Sequence, residues 1–160
     1  MTSSKVTPSV SLRDVSAADL PLLFEHQADT DAARLAAFKP RDFEAFMAHW
    51  TKILSDPSLY AKAIVFGNTV VGNIGVFGQP ALREVGYWIG REHWGRGVAT
   101  AALKELLSLC AERPLYAHVA KHNTASIRVL EKCGFRLLAE DPEFSTRDGN
   151  PVQGLVYCIG

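Results

Sequence analysis

Glu84-Val-Gly-Tyr-Trp-Ile-Gly-Arg-Glu-His-Trp-Gly-Arg-Gly-Val-Ala-Thr100 is the stretch whose reading decides the fold. Its first six residues mix β-branched and aromatic side chains and read as a strand. Gly95 and Gly97 then make a turn, and a helix follows at once, with Leu103, Leu106, Leu107 and Cys110 at helical spacing. Missing side chains let the backbone close around a ligand, and the unbonded N–H groups at a helix start point toward an anion. Arg96 adds a fixed positive charge. These residues read as a phosphate cradle.

Two nucleotide motifs compete for the same turn. A P-loop needs G-x-x-x-x-G-K followed by Ser or Thr; Gly90 to Gly97 lacks both the phosphate-bridging Lys and the magnesium-binding hydroxyl. A dinucleotide fingerprint needs G-x-G-x-x-G, and Thr100 stands where its third glycine belongs. A strand-to-helix turn that binds nothing stays open on these residues alone.

Upstream, residues 9–15 alternate and read as a first strand. Ser16-Ala-Ala-Asp19 resembles a capping box that opens a short helix through about His26. Pro40 is expected to open a second helix, whose Phe43, Phe46, Met47, Trp50, Ile53 and Leu54 form one apolar stripe. Residues 60–66 and 69–77 read as antiparallel strands joined by Gly67-Asn68. Downstream come a short strand at 115–119 and a helix at 124–133 that stops at Gly134, a left-handed cap. Strands at 135–138 and 155–159 close the chain around a polar loop with Arg-Asp-Gly-Asn at 147–150. The order β-α-α-β-β-β-α-β-α-β-β implies an α/β fold: a mixed, mostly antiparallel sheet of about seven strands with helices on both faces.

At 160 residues, without a repeat or long linker, residues 1–160 are expected to form a single domain. Lys plus Arg and Asp plus Glu balance at 17 each, so no global field draws the chain to nucleic acid or membrane. No apolar run approaches the roughly 20 residues of a membrane span, and residues 1–8 lack the apolar middle of a signal peptide. Cys110, Cys133 and Cys158 read as free thiols in a reducing cytoplasm, and only Cys133, beside Lys132, hints at an electropositive setting. His118 and His122 straddle a strand end and a loop, and no acidic or Cys partner is apparent nearby, so no metal is expected.

Two blocks carry a family resemblance. Trp94-Gly-Arg-Gly-Val-Ala99 resembles the pyrophosphate-binding motif of the GNAT N-acetyltransferase superfamily, Gln/Arg-x-x-Gly-x-Gly/Ala. Gly97 and Ala99 match; Trp94 replaces the usual Gln or Arg, as in the branch resembling RimJ and RimL. Asn123-Thr-Ala-Ser126 through Gly134-Phe135 resembles the second block of that superfamily, N-x-x-S followed by G-F.

The resemblance implies a GNAT fold and acetyl-CoA as co-substrate, without a metal. Trp94, Gly95, Arg96, Gly97, Val98, Ala99, Thr100 and Asn123 would then contact the cofactor. Its pantetheine arm would lie along Trp88 and Ile89, splayed from 115–119, with a backbone N–H near Ile89 on the thioester carbonyl. Glu84 is the implied general base; a solvated strand-end carboxylate explains it equally. The usual Tyr acid is replaced by Leu130, and the resemblance implies Ser126 as the substitute, because the RimL-like branch has a Ser at this place in the motif. A first-turn Ser contacting backbone is an equal alternative.

The expected acceptor is a primary amine, a peptide N-terminus or small amine, bound between 24–50 and 139–154. Phe38, Phe43 and Trp50 offer apolar surface there, and Glu140, Asp141 and Glu143 offer negative charge. A homodimer is compatible with the resemblance. A non-catalytic acetyl-CoA sensor is the rival class: Leu130 favours it, whereas Glu84 and Ser126 oppose it.

Overall fold

The computed structural model describes residues 9–145 and 151–160; the amino terminus and the 147–150 sequence lie outside the described residues. One seven-stranded sheet has the order β1-β2-β3-β4-β5-β7-β6. Its strands are β1 (Val10–Asp14), β2 (Tyr60–Phe66), β3 (Thr69–Phe77), β4 (Glu84–Ile89), β5 (Leu115–Ala120), β6 (Arg136–Ser145) and β7 (Val152–Ile159). Only the β4–β5 pair is parallel. The mixed, mostly antiparallel sheet is the one expected.

The α-helices are α1 (Leu20–Ala28), α2 (Thr30–Leu35), α3 (Phe43–Ser55), α4 (Val98–Leu109) and α5 (Thr124–Lys132). Because successive strand residues face opposite sides, Ala63 and Ile64 join different apolar clusters. Ile64, Ile74 and Ile89 pack with Leu103 and Leu106 of α4 and Leu130 of α5. On the other face Ala63 packs with Leu20 and Leu23 of α1 and Phe46 and Trp50 of α3. Each such large side chain contributes about 1.5–3 kcal/mol when buried. Val85 and Ile89 tie β4 into the first of these clusters, and that strand carries the site.

Five features differ from expectation, the simplest being that β7 begins at Val152 and not at 155. α3 begins at Phe43 and not at Pro40, because Asp42 is its N-cap and accepts from Ala45 N–H at 2.8 Å. α2 was not anticipated; six residues are too few to show a stripe, and Asp29 starts it by accepting from the N–H groups of Asp31 and Ala32. The α3 stripe is only partly inside: Phe46 and Trp50 are buried, whereas Phe43 and Leu54 are exposed. β6 runs well past 138, through Pro142, because it is an edge strand where a missing N–H costs no ladder bond.

Candidate functional site

The parallel pair β4–β5 is joined at a single position, Glu84 opposite Tyr116, with Tyr116 N–H donating to Arg83 O at 2.9 Å. On its other edge β4 pairs with β3 along its whole length, from Glu84 to Ile89. Beyond Glu84 and Tyr116 the two parallel strands therefore separate into a wedge. Gly90 N–H donates to Val71 O at 2.8 Å. Antiparallel alternation then turns the N–H groups of Tyr87 and Ile89 away from β3, toward the wedge.

The cradle stands at the mouth of this wedge. Gly95 and Gly97 both have φ +74°, and Gly97 is the N-cap of α4. A Cβ on either glycine would meet nothing within 4 Å. The backbone angle, not crowding, is what demands glycine here, and the space before the helix start is open. A cleft of about 440 Å³ joins cradle and wedge. Arg128 and Lys132 of α5 line it, and no carboxylate does among the described residues. Open N–H groups under a positive rim suit a pyrophosphate.

α2 supplies a further wall through Ala32, Leu35 and Ala36. Arg91 holds it from one side, pairing with Asp29 at 3.6 Å and with Asp31. His122 Nε2 holds it from the other, 3.2 Å from Arg34 O.

The expected cofactor residues divide. Trp94, Gly95, Gly97, Val98, Ala99, Thr100 and Asn123 line the cleft, as do the strand residues Trp88 and Ile89. Trp94 is pinned at the rim by Nε1–H donating to Ile89 O at 2.9 Å. Asn123 caps α5, accepting from Ser126 N–H at 3.3 Å. The Trp88 side chain is anchored elsewhere, donating to His26 O at 3.0 Å and meeting Phe38 edge-to-face at 5.4 Å. Arg96 is exposed, outside the cleft lining, and without a hydrogen bond or ion pair among the described residues.

Ser126 has a partner that sequence reasoning missed. Tyr87 Oη lies 2.6 Å from Ser126 Oγ, and both residues line the cleft. Burial pushes the Tyr87 phenol up to about 12, against the opposing pull of the Ser126 hydrogen bond. Leu130, at the usual acid position, is 1% exposed and belongs to the core. The available signal was that Tyr87 alternates with Val85 and Ile89, which puts one hydroxyl on an otherwise apolar strand face.

Glu84 stands at the closed end of the wedge, with Oε1 2.5 Å from His118 Nδ1. This corrects the expectation that the histidine lacks an acidic partner: parallel pairing of β4 with β5 brings together residues 34 positions apart. Cys133 is the free thiol expected, and its hint of an activating setting is not realised. Burial raises its thiol above the ordinary value, Lys104 opposing, and Sγ lies 3.6 Å from Thr100 O. The group is kept protonated rather than activated.

A second cavity, about 520 Å³, lies against β4 with Phe38, Arg41, His49, Trp50 and Gly86 in its walls. Of the expected acceptor residues, Phe38 and Trp50 are therefore brought together. Phe43 instead packs on Phe24, Glu140 pairs with Lys121 at 3.6 Å, and neither these nor Asp141 line the cavity. The Glu143 side chain lies outside the described residues. No helix among the described residues is long and apolar enough to cross a membrane.

Comparison with known proteins converges on one group. The family model described as an acetyltransferase (GNAT) domain matches residues 9–136. The uncharacterised N-acetyltransferase p20 of Bacillus licheniformis is 26% identical over 144 residues, spanning 81% of this chain and 80% of its own. YdaF of Bacillus subtilis (strain 168), provisionally named a ribosomal N-acetyltransferase, is 27% identical over 123 residues, 72% of this chain and 64% of its own length. Spermidine N-acetyltransferase of Vibrio cholerae, solved with CoA and spermine, has the same fold: TM-score 0.83 at 18% identity, over 94% of this chain and 95% of that one.

Proposed function

The chain belongs to the GNAT acetyltransferase family, and from that premise we propose that it carries the acetyl group of acetyl-CoA to a primary amine, with both substrates bound at once. The observation that carries the proposal is the wedge: two parallel strands joined only at Glu84–Tyr116, opening onto a helix start whose glycines leave the N–H groups bare.

In this reading the pyrophosphate rests on the N–H groups of Gly95 to Thr100, with Arg96, Arg128 and Lys132 as counter-charges. The pantetheine arm follows β4 past Trp94 and Asn123 into the wedge. There an N–H of Ile89 or Tyr87 polarises the thioester carbonyl. Holding donor and acceptor in line supplies much of the acceleration. Ser126, backed by Tyr87, donates to the departing thiolate; Glu84 anchors the basic side of the site.

The acceptor enters from the second cavity and presents its amine at the Glu84 end of the wedge. A RimJ/RimL-like preference for an α-amine, on a peptide or a small molecule, follows from Trp94 and Ser126 in the two blocks. The protein acts as a single-domain, cytoplasmic enzyme. The test is mass-spectrometric detection of acetylated product from acetyl-CoA and a panel of peptides, polyamines, aminoglycosides and amino acids, with Glu84→Gln alongside. Product from one acceptor class, diminished in the variant, supports the proposal. Acetyl-CoA binding with no product from any class sinks it and favours a sensor.

A further inference from the structure

Glu84 and Tyr116 are the one paired position between β4 and β5. Two residues further along each strand stand Gly86 and His118, at the point where the wedge opens. Alternation puts Glu84, Gly86 and His118 on one face of the sheet, and the contact between Glu84 Oε1 and His118 Nδ1 confirms that face for the two side chains. Gly86 is in the wall of the second cavity. A Cβ there would meet Phe77 at an ordinary 3.7 Å, so packing does not exclude a side chain. Gly86, one strand step from Glu84 on that face, therefore presents backbone and no side chain to the cavity, whose lining does not itself include Glu84 or His118.

We propose that His118 is the group that takes the proton from the acceptor amine, and that Glu84 is a positioning residue for it; this rests on the transfer reading above. Two lone pairs cannot face each other at 2.5 Å, so a proton sits between Nδ1 and Oε1. That fixes the neutral ring as the Nδ1–H tautomer and leaves Nε2 with its lone pair. Glu84 is then committed to the ring and does not meet the amine itself. His118 is 36% exposed and Glu84 49%, so the pair has access both to a substrate and to the water that receives the proton.

The step balances. The bound ammonium gives one proton to Nε2, and its nitrogen lone pair attacks the thioester carbon. The N–C bond forms and the C–S bond breaks. The nitrogen sheds its second proton to solvent, the thiolate takes one from the Ser126–Tyr87 pair, which water reprotonates, and Nε2 returns its proton to solvent, so one proton is released net. Glu84 stabilises the imidazolium without being protonated, the logic of any His–carboxylate pair.

The test combines turnover with a ring-nitrogen measurement. The acceptors are spermidine, L-phenylalanine and a peptide with an amino-terminal Ser, and product is read by mass. His118→Ala should lower kcat by about 10²-fold with the KM for acetyl-CoA unchanged, and added imidazole should restore part of the rate. His118→Gln, which fills the space, should be equally slow and show no rescue. Glu84→Gln should lose less, about tenfold, because the ring survives without its anchor. In the wild-type protein, nitrogen NMR of His118 at alkaline pH should show the Nδ1–H tautomer, and Glu84→Ala, which removes the accepting oxygen, should shift it toward Nε2–H.

Product formed undiminished by His118→Ala, or a wild-type Nε2–H tautomer, overturns the proton path and leaves acetyl transfer standing. Absence of product from every acceptor overturns the transfer reading and the proton path with it.

Discussion

Tyr87 Oη and Ser126 Oγ, 2.6 Å apart, join β4 to the first turn of α5 across the floor of the donor cleft. A phenol held near 12 by burial keeps its proton throughout the physiological range. The phenol is therefore available as a hydrogen-bond donor to the serine oxygen, which frees the serine hydroxyl to donate to the departing thiolate. Tyr87→Phe and Ser126→Ala should each slow turnover by about 10- to 100-fold, and the double variant should be little slower than either single one. Steady-state kinetics of the cycle checks this. Additive losses would mean that the two hydroxyls act separately.

Gly97→Val tests the cradle. A β-branched residue at φ +74° costs about 1–2 kcal/mol and places its branches before the helix N–H groups. Acetyl-CoA affinity should fall at least about tenfold by calorimetry, with a lower melting temperature. Because a Cβ meets no neighbour there, Gly97→Ala should cost only the backbone strain.

α2 is held over the cleft by Arg91 through Asp29 and Asp31. Exposed ion pairs contribute about 0.2–1 kcal/mol each. Arg91→Gln should therefore raise the KM for acetyl-CoA by less than about tenfold and leave kcat near wild type. A collapse of kcat would show that α2 does more than wall the cleft.

Acid stability should report on Asp19. Two hydrogen bonds from Arg13, at 2.8 and 2.9 Å, hold this carboxyl at about 2, burial opposing. A depressed carboxyl stabilises the fold above its unfolded value and loses that contribution as pH falls from about 4 to about 2. Asp19→Asn should be less stable at neutral pH by about 1–2 kcal/mol, discounted for the exposure of Arg13. Its urea midpoint should then fall less than that of the wild type across that window.

Much of the fold was legible because it rests on local rules. Alternation at 9–15, a two-residue turn at Gly67-Asn68, and glycines placed before α4 and after α5 each have one structural solution. α2 was not legible, being short and held by Arg91 and His122 from distant parts of the chain. In the candidate site the cradle could be read in order along the sequence. The Tyr87–Ser126 and Glu84–His118 pairs could not, since each depends on how widely β4 and β5 part. The place of Arg128 and Lys132 in the cleft wall was not read from the sequence either, since it depends on how α5 seats Leu130 in the core.

The most direct test of the account is the crystal structure of the protein with acetyl-CoA. The expected result is pyrophosphate on the N–H groups following Gly95 and Gly97, the arm between β4 and β5, and the thioester near Gly86 and His118. Acetyl-CoA bound outside the wedge, or with its thioester remote from Ser126 and His118, would contradict it.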